Sequence, residues 1–215
     1  MVPVVIIPVL NRYDLLAKCI GSIDYGVEKL IVINNGKGKV EAFDNPFIKT
    51  SYIWDMPSNL GVATSWNLGI KSTPFALGWI LLNNDAEFLP HKLERFWLSC
   101  EDNEIQLAGT PPWACAWIGC DVVKEIGLFC EAFHPAYFED NDYERRAKHA
   151  HIPIAIVQDP VIEHINSATL HSDESFSHKN SVSYASNNEL NKMRNASFDE
   201  GHWDLQRRLE LSWDK

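Results

Sequence analysis

Gly78-Trp79-Ile80-Leu81-Leu82-Asn83-Asn84-Asp85 decides how the rest of the chain is read. It opens with a short, continuous apolar run, which suits a strand buried on both faces. The run then stops abruptly in two amides and a carboxylate. The same pattern recurs upstream. Val4 to Ile7 is β-branched and apolar and leads into Pro8 to Arg12, while Lys29 to Ile33 leads into Asn34-Asn35-Gly36. Ser51 to Trp54 reads as a weaker strand. Helical spacing separates these runs. Leu15, Leu16, Cys19, Ile20 and Ile23 share one side of Asp14 to Ile23, and Asn59 to Ile70 reads as a Gly-containing turn opening a helix. Pro90 to Cys100 reads as a helix with proline in its first turn.

Alternating strands and helices predict an α/β fold with a mostly parallel central sheet and flanking helices. Such sheets bind ligands beyond the carboxyl ends of their strands. The three polar clusters, Pro8 to Arg12, Asn34 to Gly36 and Asn83 to Asp85, are therefore expected to converge on one crevice. Further along, Trp113 to Cys120 is apolar and aromatic, and Asp121 to Ile126 reads as a short helix. Tyr137 to His149 begins acidic and ends basic, which complements a helix dipole. Ile154 to Val157 reads as a strand, and Asn187 to Leu211 as helical.

Composition narrows the function classes. The 215 residues are 46% apolar and 22% charged, as in an ordinary globular chain. The net charge of −10 offers no broad basic surface to displace counterions from phosphates, which argues against non-specific nucleic-acid binding. The five cysteines form no C-x-x-C pair and read as reduced thiols of a cytoplasmic protein. The apolar N-terminus lacks the basic n-region of a signal peptide, and no stretch approaches a membrane-spanning length.

Several segments carry chemistry, each with a plainer alternative. Asp85, just past a buried strand, suits a divalent cation held against a diphosphate, because Mg²⁺ and Mn²⁺ take oxygen ligands and few carboxylates. It equally suits an Asx-rich turn. Between Asn59 and Gly69, Gly61 permits close backbone approach and a helix N-terminus favours anions, while Asn59 is also a natural N-cap. Tyr137-Phe138-Glu139-Asp140-Asn141-Asp142 crowds three acids that can raise one another's pKa, as a general base needs. They also fit a first helical turn. His164 is either a metal ligand or structural. Trp113, Trp117, Phe133, His134 and Tyr137 offer faces for stacking on sugars or for core packing.

Taken in order, these segments resemble the family 2 glycosyltransferases of GT-A fold, a Rossmann-like nucleotide-diphospho-sugar transferase layout, and especially their rhamnosyltransferase-like branch. The matching stretches are Val5 to Arg12, Val32 to Gly36, Asn59 to Ile70, Leu81 to Asp85, Gly127 to Tyr143, and His164 with Ser167. The resemblance implies a GT-A domain over residues 1–170, with a nucleotide-binding half over about 1–100 and an acceptor and catalytic half over about 101–170. Residues 171–215 would form a polar, partly helical extension.

The resemblance also implies roles. Pro8, Asn11, Arg12, Asn35, Asn59, Gly61, Asn67 and Asn84 would bind or shape the nucleotide and diphosphate pocket. Asp85 and His164 would hold a divalent metal, Mn²⁺ or Mg²⁺. Asp140, with Glu139 beside it, would supply the general base. Trp117, Tyr137 and Asp142 would line the acceptor side. The implied enzyme is an inverting hexosyl- or deoxyhexosyltransferase using a nucleotide-diphosphate sugar donor. Its acceptor is left open among a glycan, a lipid-linked glycan, a protein and a modified nucleic acid. Asn34-Asn35 and Asn83 stand where the family has acids, so the metal site leans on Asp85, His164 and the donor. Two alternatives are a nucleotidyltransferase, whose Gly-rich basic loop is missing after the first strand, and a catalytically inactive nucleotide- or sugar-binding module.

Overall fold

The computed structural model describes residues 1–164 and 174–199; Ser167 and the parts 171–173 and 200–215 of the expected extension lie outside the described residues. The nucleotide-side half runs β1 (Val2–Val9), α1 (Tyr13–Gly21), β2 (Val27–Asn34), β3 (Ile48–Asp55), α2 (Val62–Ser72) and β4 (Gly78–Leu82). The second half runs β5 (Ala86–Phe88), α3 (Lys92–Leu98), β6 (Ile105–Ala108), β7 (Cys115–Gly119), α4 (Cys120–Ile126), α5 (Glu139–His149), β8 (Ile154–Ile156), β9 (Ile162–His164) and α6 (Glu174–Asp199).

Seven strands form one sheet in the order β3-β2-β1-β4-β7-β6-β8. Six run the same way and β7 alone runs against them, antiparallel to both β4 and β6. A separate two-stranded antiparallel ribbon joins β5 to β9.

The continuous apolar runs follow from burial on both faces. On one face of β1, Val5, Ile7 and Val9 pack with Leu16, Cys19 and Ile20 of α1 and with Leu93 and Phe96 of α3. On the other, Val4 and Ile6 pack with Ala63, Trp66 and Ile70 of α2. β2 and β4 divide in the same way, with Val32 and Leu82 on the first face and Ile33 and Leu81 on the second. Each such side chain, fully buried, contributes about 1.5–3 kcal/mol, so a polar residue on either face is disfavoured. The apolar alternation that marks a one-sided strand is lost for that reason. Pro3 and Pro8 cannot donate to a ladder, and β1 pairs with β4 only at Val5 and Ile6, between them.

The second half departs from expectation in several places. α3 starts at Lys92, after His91 in left-handed conformation (φ 59°), so Pro90 precedes the helix instead of entering its first turn. β5, β6 and β9 have three or four residues each and carry no periodic signal. The Trp113–Cys120 segment resolves into a short 3-10 turn, Pro112–Ala114, followed by β7. α6 begins at Glu174, well before Asn187.

Candidate active site

The ends of β1, β2 and β4 lie side by side, and their polar clusters meet. The Asn35 backbone N–H donates to the Val9 carbonyl at 2.7 Å, and the Asn84 side chain donates to the Asn11 carbonyl at 3.4 Å. Pro8 pairs with Ile33 across the β1–β2 ladder. Arg12 adopts the left-handed conformation that turns the chain into α1. Its guanidinium pairs with Asp14 at 2.9 and 2.7 Å. The Asp14 hydrogen bonds first, and then the charges of Asp14 and Asp85, hold its pKa above the usual value.

Asn34 and Asn35 stabilise this loop. Asn34 accepts from the Tyr13 hydroxyl at 2.9 Å and donates to Asp55 and to the Gly38 carbonyl, both at 2.7 Å. Asn35 donates to the Ser65 hydroxyl at 2.9 Å and accepts from the Leu60 N–H at 3.0 Å.

The β5–β9 ribbon brings the metal candidates together. Its register sets Ala86 opposite His164. His164 Nε2 then lies 2.9 Å from Asp85 Oδ1 and 3.4 Å from the Asn83 amide nitrogen. His164 Nδ1 lies 3.1 Å from the Thr110 carbonyl, an acceptor only, so Nδ1 carries a proton. Nε2 facing a carboxylate oxygen then needs a second proton or a cation. Burial works against the imidazolium, but the hydrogen bonds to Asp85 and Thr110 and the Asp85 charge outweigh it and raise the pKa.

The same pair fits a divalent cation chemically, with one imidazole nitrogen and one carboxylate oxygen. Neighbouring octahedral ligands at about 2.1 Å stand about 3.0 Å apart, close to the observed 2.9 Å. Among the described residues no group of three or more His, Cys, Asp or Glu is placed to hold a metal.

The Asn59–Asn67 segment is built largely around the protein itself. Asn59 accepts from the Gly61 N–H at 2.9 Å, in the manner of an Asx turn. Gly61 has φ 80°, and a Cβ there would stand 2.7 Å from the Pro135 carbonyl oxygen. The close approach that glycine permits is thus to Pro135, whose carbonyl also accepts from the Val62 N–H at 2.8 Å. Asn67 is fully buried. It donates to the Phe129 carbonyl and to Glu131 and accepts from the Phe129 N–H, each at 2.9 Å. Its role is to tie α2 to the 127–131 segment.

The acidic segment starts α5 after two residues in left-handed conformation, Tyr137 (φ 80°) and Phe138 (φ 74°). Glu139 is buried, and its Oε2 has no hydrogen-bond partner among the described residues. Burial first, and then the Asp140 charge, pushes its pKa up to about 8. Asp140 is partly exposed and accepts from the Asn141 N–H at 2.8 Å. Burial raises its pKa as well, with backbone N–H groups pulling the other way.

Two expected acceptor-side residues are placed elsewhere. Trp117 is fully buried in β7, its indole N–H donating to the Glu101 carbonyl at 2.8 Å. Asp142 is buried between Arg146 at 3.0 Å and Arg194 at 2.7 Å. Tyr137 remains partly exposed, edge-on to Tyr184.

Sequence reading missed several groups. Thr110 acts through its backbone carbonyl, which leaves no side-chain signature. Glu144 accepts from the Trp113 indole at 2.7 Å, and Asn187 and Arg194 reach the acidic segment from α6. These contacts join positions far apart in the chain.

No protein-family profile and no curated protein sequence matches the chain. Solved structures match in fold. The catalytic domain of Drosophila β1,4-galactosyltransferase 7, in complex with xylobiose, aligns with a TM-score of 0.56 at 11% identity, over 80% of this chain and 72% of that one. S. aureus TarS 1–349 aligns with a TM-score of 0.56 at 14% identity, over 75% of this chain and 59% of that one. A β1,4-galactosyltransferase 7 mutant in complex with manganese, UDP-Gal and xylobiose aligns with a TM-score of 0.54 at 11% identity, over 81% and 75% of the two chains. The chain thus spans about three fifths of the TarS fragment. These matches show a GT-A fold, with its seven-stranded, mostly parallel central sheet and flanking helices.

Proposed function

We propose that the chain is a metal-assisted, inverting glycosyltransferase of the family 2 type, moving a hexosyl or deoxyhexosyl group from a nucleotide-diphosphate sugar to an acceptor hydroxyl. The observation that carries this reading is the Asp85–His164 pair, 2.9 Å apart just past the carboxyl end of β4. In an open α/β sheet that edge is where a nucleotide ligand sits. Pro8, Asn11, Arg12 and Asn84 are proposed to contact the nucleotide, with Asn35, Asn59 and Gly61 shaping the pocket behind them. Asp85 and His164 would hold Mn²⁺ or Mg²⁺, which would supply positive charge against the leaving diphosphate. No helix among the described residues is long and apolar enough to cross a membrane. All five cysteines are free, which supports a reducing, cytoplasmic setting.

The acid pair divides its labour by environment. Glu139, with its pKa near 8, is mostly protonated at neutral pH and cannot accept a proton there. Asp140 is the partly exposed member and is proposed as the base. It takes the proton as the acceptor oxygen bonds to the anomeric carbon. The bond from that carbon to the diphosphate oxygen breaks, and the single displacement inverts the configuration. Tyr137 is the proposed acceptor contact. The acceptor is a sugar, lipid-linked, protein or nucleic-acid hydroxyl.

The test is a panel of nucleotide sugars with Mn²⁺ or Mg²⁺, scored for nucleoside diphosphate release. Asp140→Asn and Asp85→Ala should each lower turnover at least ~100-fold while folding normally. Wild-type rates in either variant would show its role to be misassigned. Asn34-Asn35 and Asn83, standing at positions where the resemblance leads one to expect acids, favour as a second reading a nucleotide-sugar binder without turnover. Even slow donor hydrolysis would exclude that reading.

A further inference from the structure

α6 packs against the acidic segment through residues Tyr184, Asn187, Asn191 and Arg194. Their spacing places all four along one helical face. Tyr184 meets Tyr137 at 5.4 Å and Phe138 at 5.0 Å between ring centroids. Asn187 is buried and donates to the Ala136 carbonyl at 2.8 Å and to the His134 carbonyl at 3.4 Å. Asn191 accepts from Arg145 at 2.8 Å. Arg194 donates to both oxygens of Asp142, at 2.7 and 3.3 Å.

These contacts bracket Glu139 and Asp140. Asn187 holds the chain three residues before Glu139, and Arg194 holds it two residues after Asp140. Between the grips lie Tyr137 and Phe138, both left-handed without being glycine. Such a conformation persists only where the surroundings fix it. The surroundings here are Tyr184 on the two rings and Asn187 on the carbonyls just upstream. The contacts leave the acid pair's own carboxylates untouched, as a brace would.

We infer that α6 is the brace that aims the Glu139–Asp140 pair, with Asn187 and Arg194 as its positioning residues. The catalytic meaning of that aim rests on the proposed glycosyl transfer; the mechanical part does not. Asn187 acts on the entry to the pair, where its amide N–H groups satisfy two carbonyls that a left-handed turn leaves outside any ladder. Arg194 acts on the exit, where it adds a third guanidinium to Asp142, beside those of Arg146 and Arg145, and so ties α5 to α6.

The test uses the full chain with Asn187→Ala, Arg194→Met and, as control on the exposed side of α6, Lys192→Ala. Amide hydrogen exchange is followed by mass spectrometry, and steady-state kinetics with a nucleotide sugar the wild type turns over. In the first two variants, exchange across residues 136–142 should quicken at least ~10-fold while β1, β2 and β4 exchange as in wild type. Turnover should fall at least ~10-fold with the donor KM within about twofold of wild type, because aim is lost and donor binding is not. Arg194→Lys should recover part of the loss, since one charge and one hydrogen bond return. Lys192→Ala should behave as wild type.

Unchanged exchange at 136–142 overturns the brace, as does exchange that quickens equally throughout the sheet. Unchanged turnover, or turnover and donor KM that worsen in parallel, overturns the positioning role. If the wild type turns over no nucleotide sugar, the proposed function fails, and the exchange result still decides whether α6 braces the segment.

Discussion

Glu139 and Asp140 are chain neighbours with different surroundings, and the difference is measurable. Glu139 has its folded pKa raised from 4.5 to about 8. Between those values the folded chain holds a proton that the unfolded chain releases. Stability therefore falls as pH rises through that window, by on the order of 5 kcal/mol if Glu139 acts alone. Glu139→Gln removes the linkage, so its melting temperature should gain on wild type as pH rises from 5 to about 8 and level off above that. A constant difference across that range would contradict the burial argument. Gly61 gives a second prediction at this scale. An alanine there must keep φ near 80° and set its Cβ against the Pro135 carbonyl. Gly61→Ala should cost about 1–3 kcal/mol in urea unfolding. Donor affinity should fall only as far as the segment shifts.

At the scale of elements, Asp142 joins α5 to α6 and to the 126–128 turn. Arg146 bonds Asp142 and also reaches the Ile126 and Leu128 carbonyls from a buried position. Asp142→Ala would leave that guanidinium buried without its counter-charge, which costs about 3–5 kcal/mol. The loss should register in chemical denaturation.

Asp142 also shows where sequence reading runs out. Three acids within four residues look alike on paper, and only the fold decides which one meets arginines. Trp117 makes the same point, since an aromatic beside a polar segment suits a cleft wall and a core equally. β1, β2 and β4 are legible because apolar runs buried on both faces are uninterrupted and each ends in a polar cluster. β5, β6 and β9 are not, since three or four residues give too little pattern to register. His164 was legible as a candidate, but its proximity to Asp85 depends on the β5–β9 ribbon, which no local signal announces.

At the scale of the whole molecule, donor and metal are expected to bind as one. As the proposed ligands, Asp85 and His164 would give a cation two positions, so most of its shell would come from diphosphate and water. A nucleoside diphosphate with Mn²⁺ at 100 times its Kd should stabilise the fold by about 2.7 kcal/mol, a rise of roughly 5–10 °C in melting temperature. His164→Ala should abolish the increment due to Mn²⁺ and leave that of the nucleotide alone, as read by thermal shift.

The reversed strand β7 has a consequence for synthesis. β4 is buried at all five positions and sits between β1 and β7. On the ribosome, β1 to β4 emerge before β7, and the apolar flank of β4 stays uncapped until Cys115–Gly119 follows. At ordinary elongation rates the wait lasts a few seconds. During it the nascent chain presents an unpaired, uncharged strand edge of the kind that recruits chaperones or neighbouring chains. Any slowing of translation between residues 83 and 114 would lengthen that exposure.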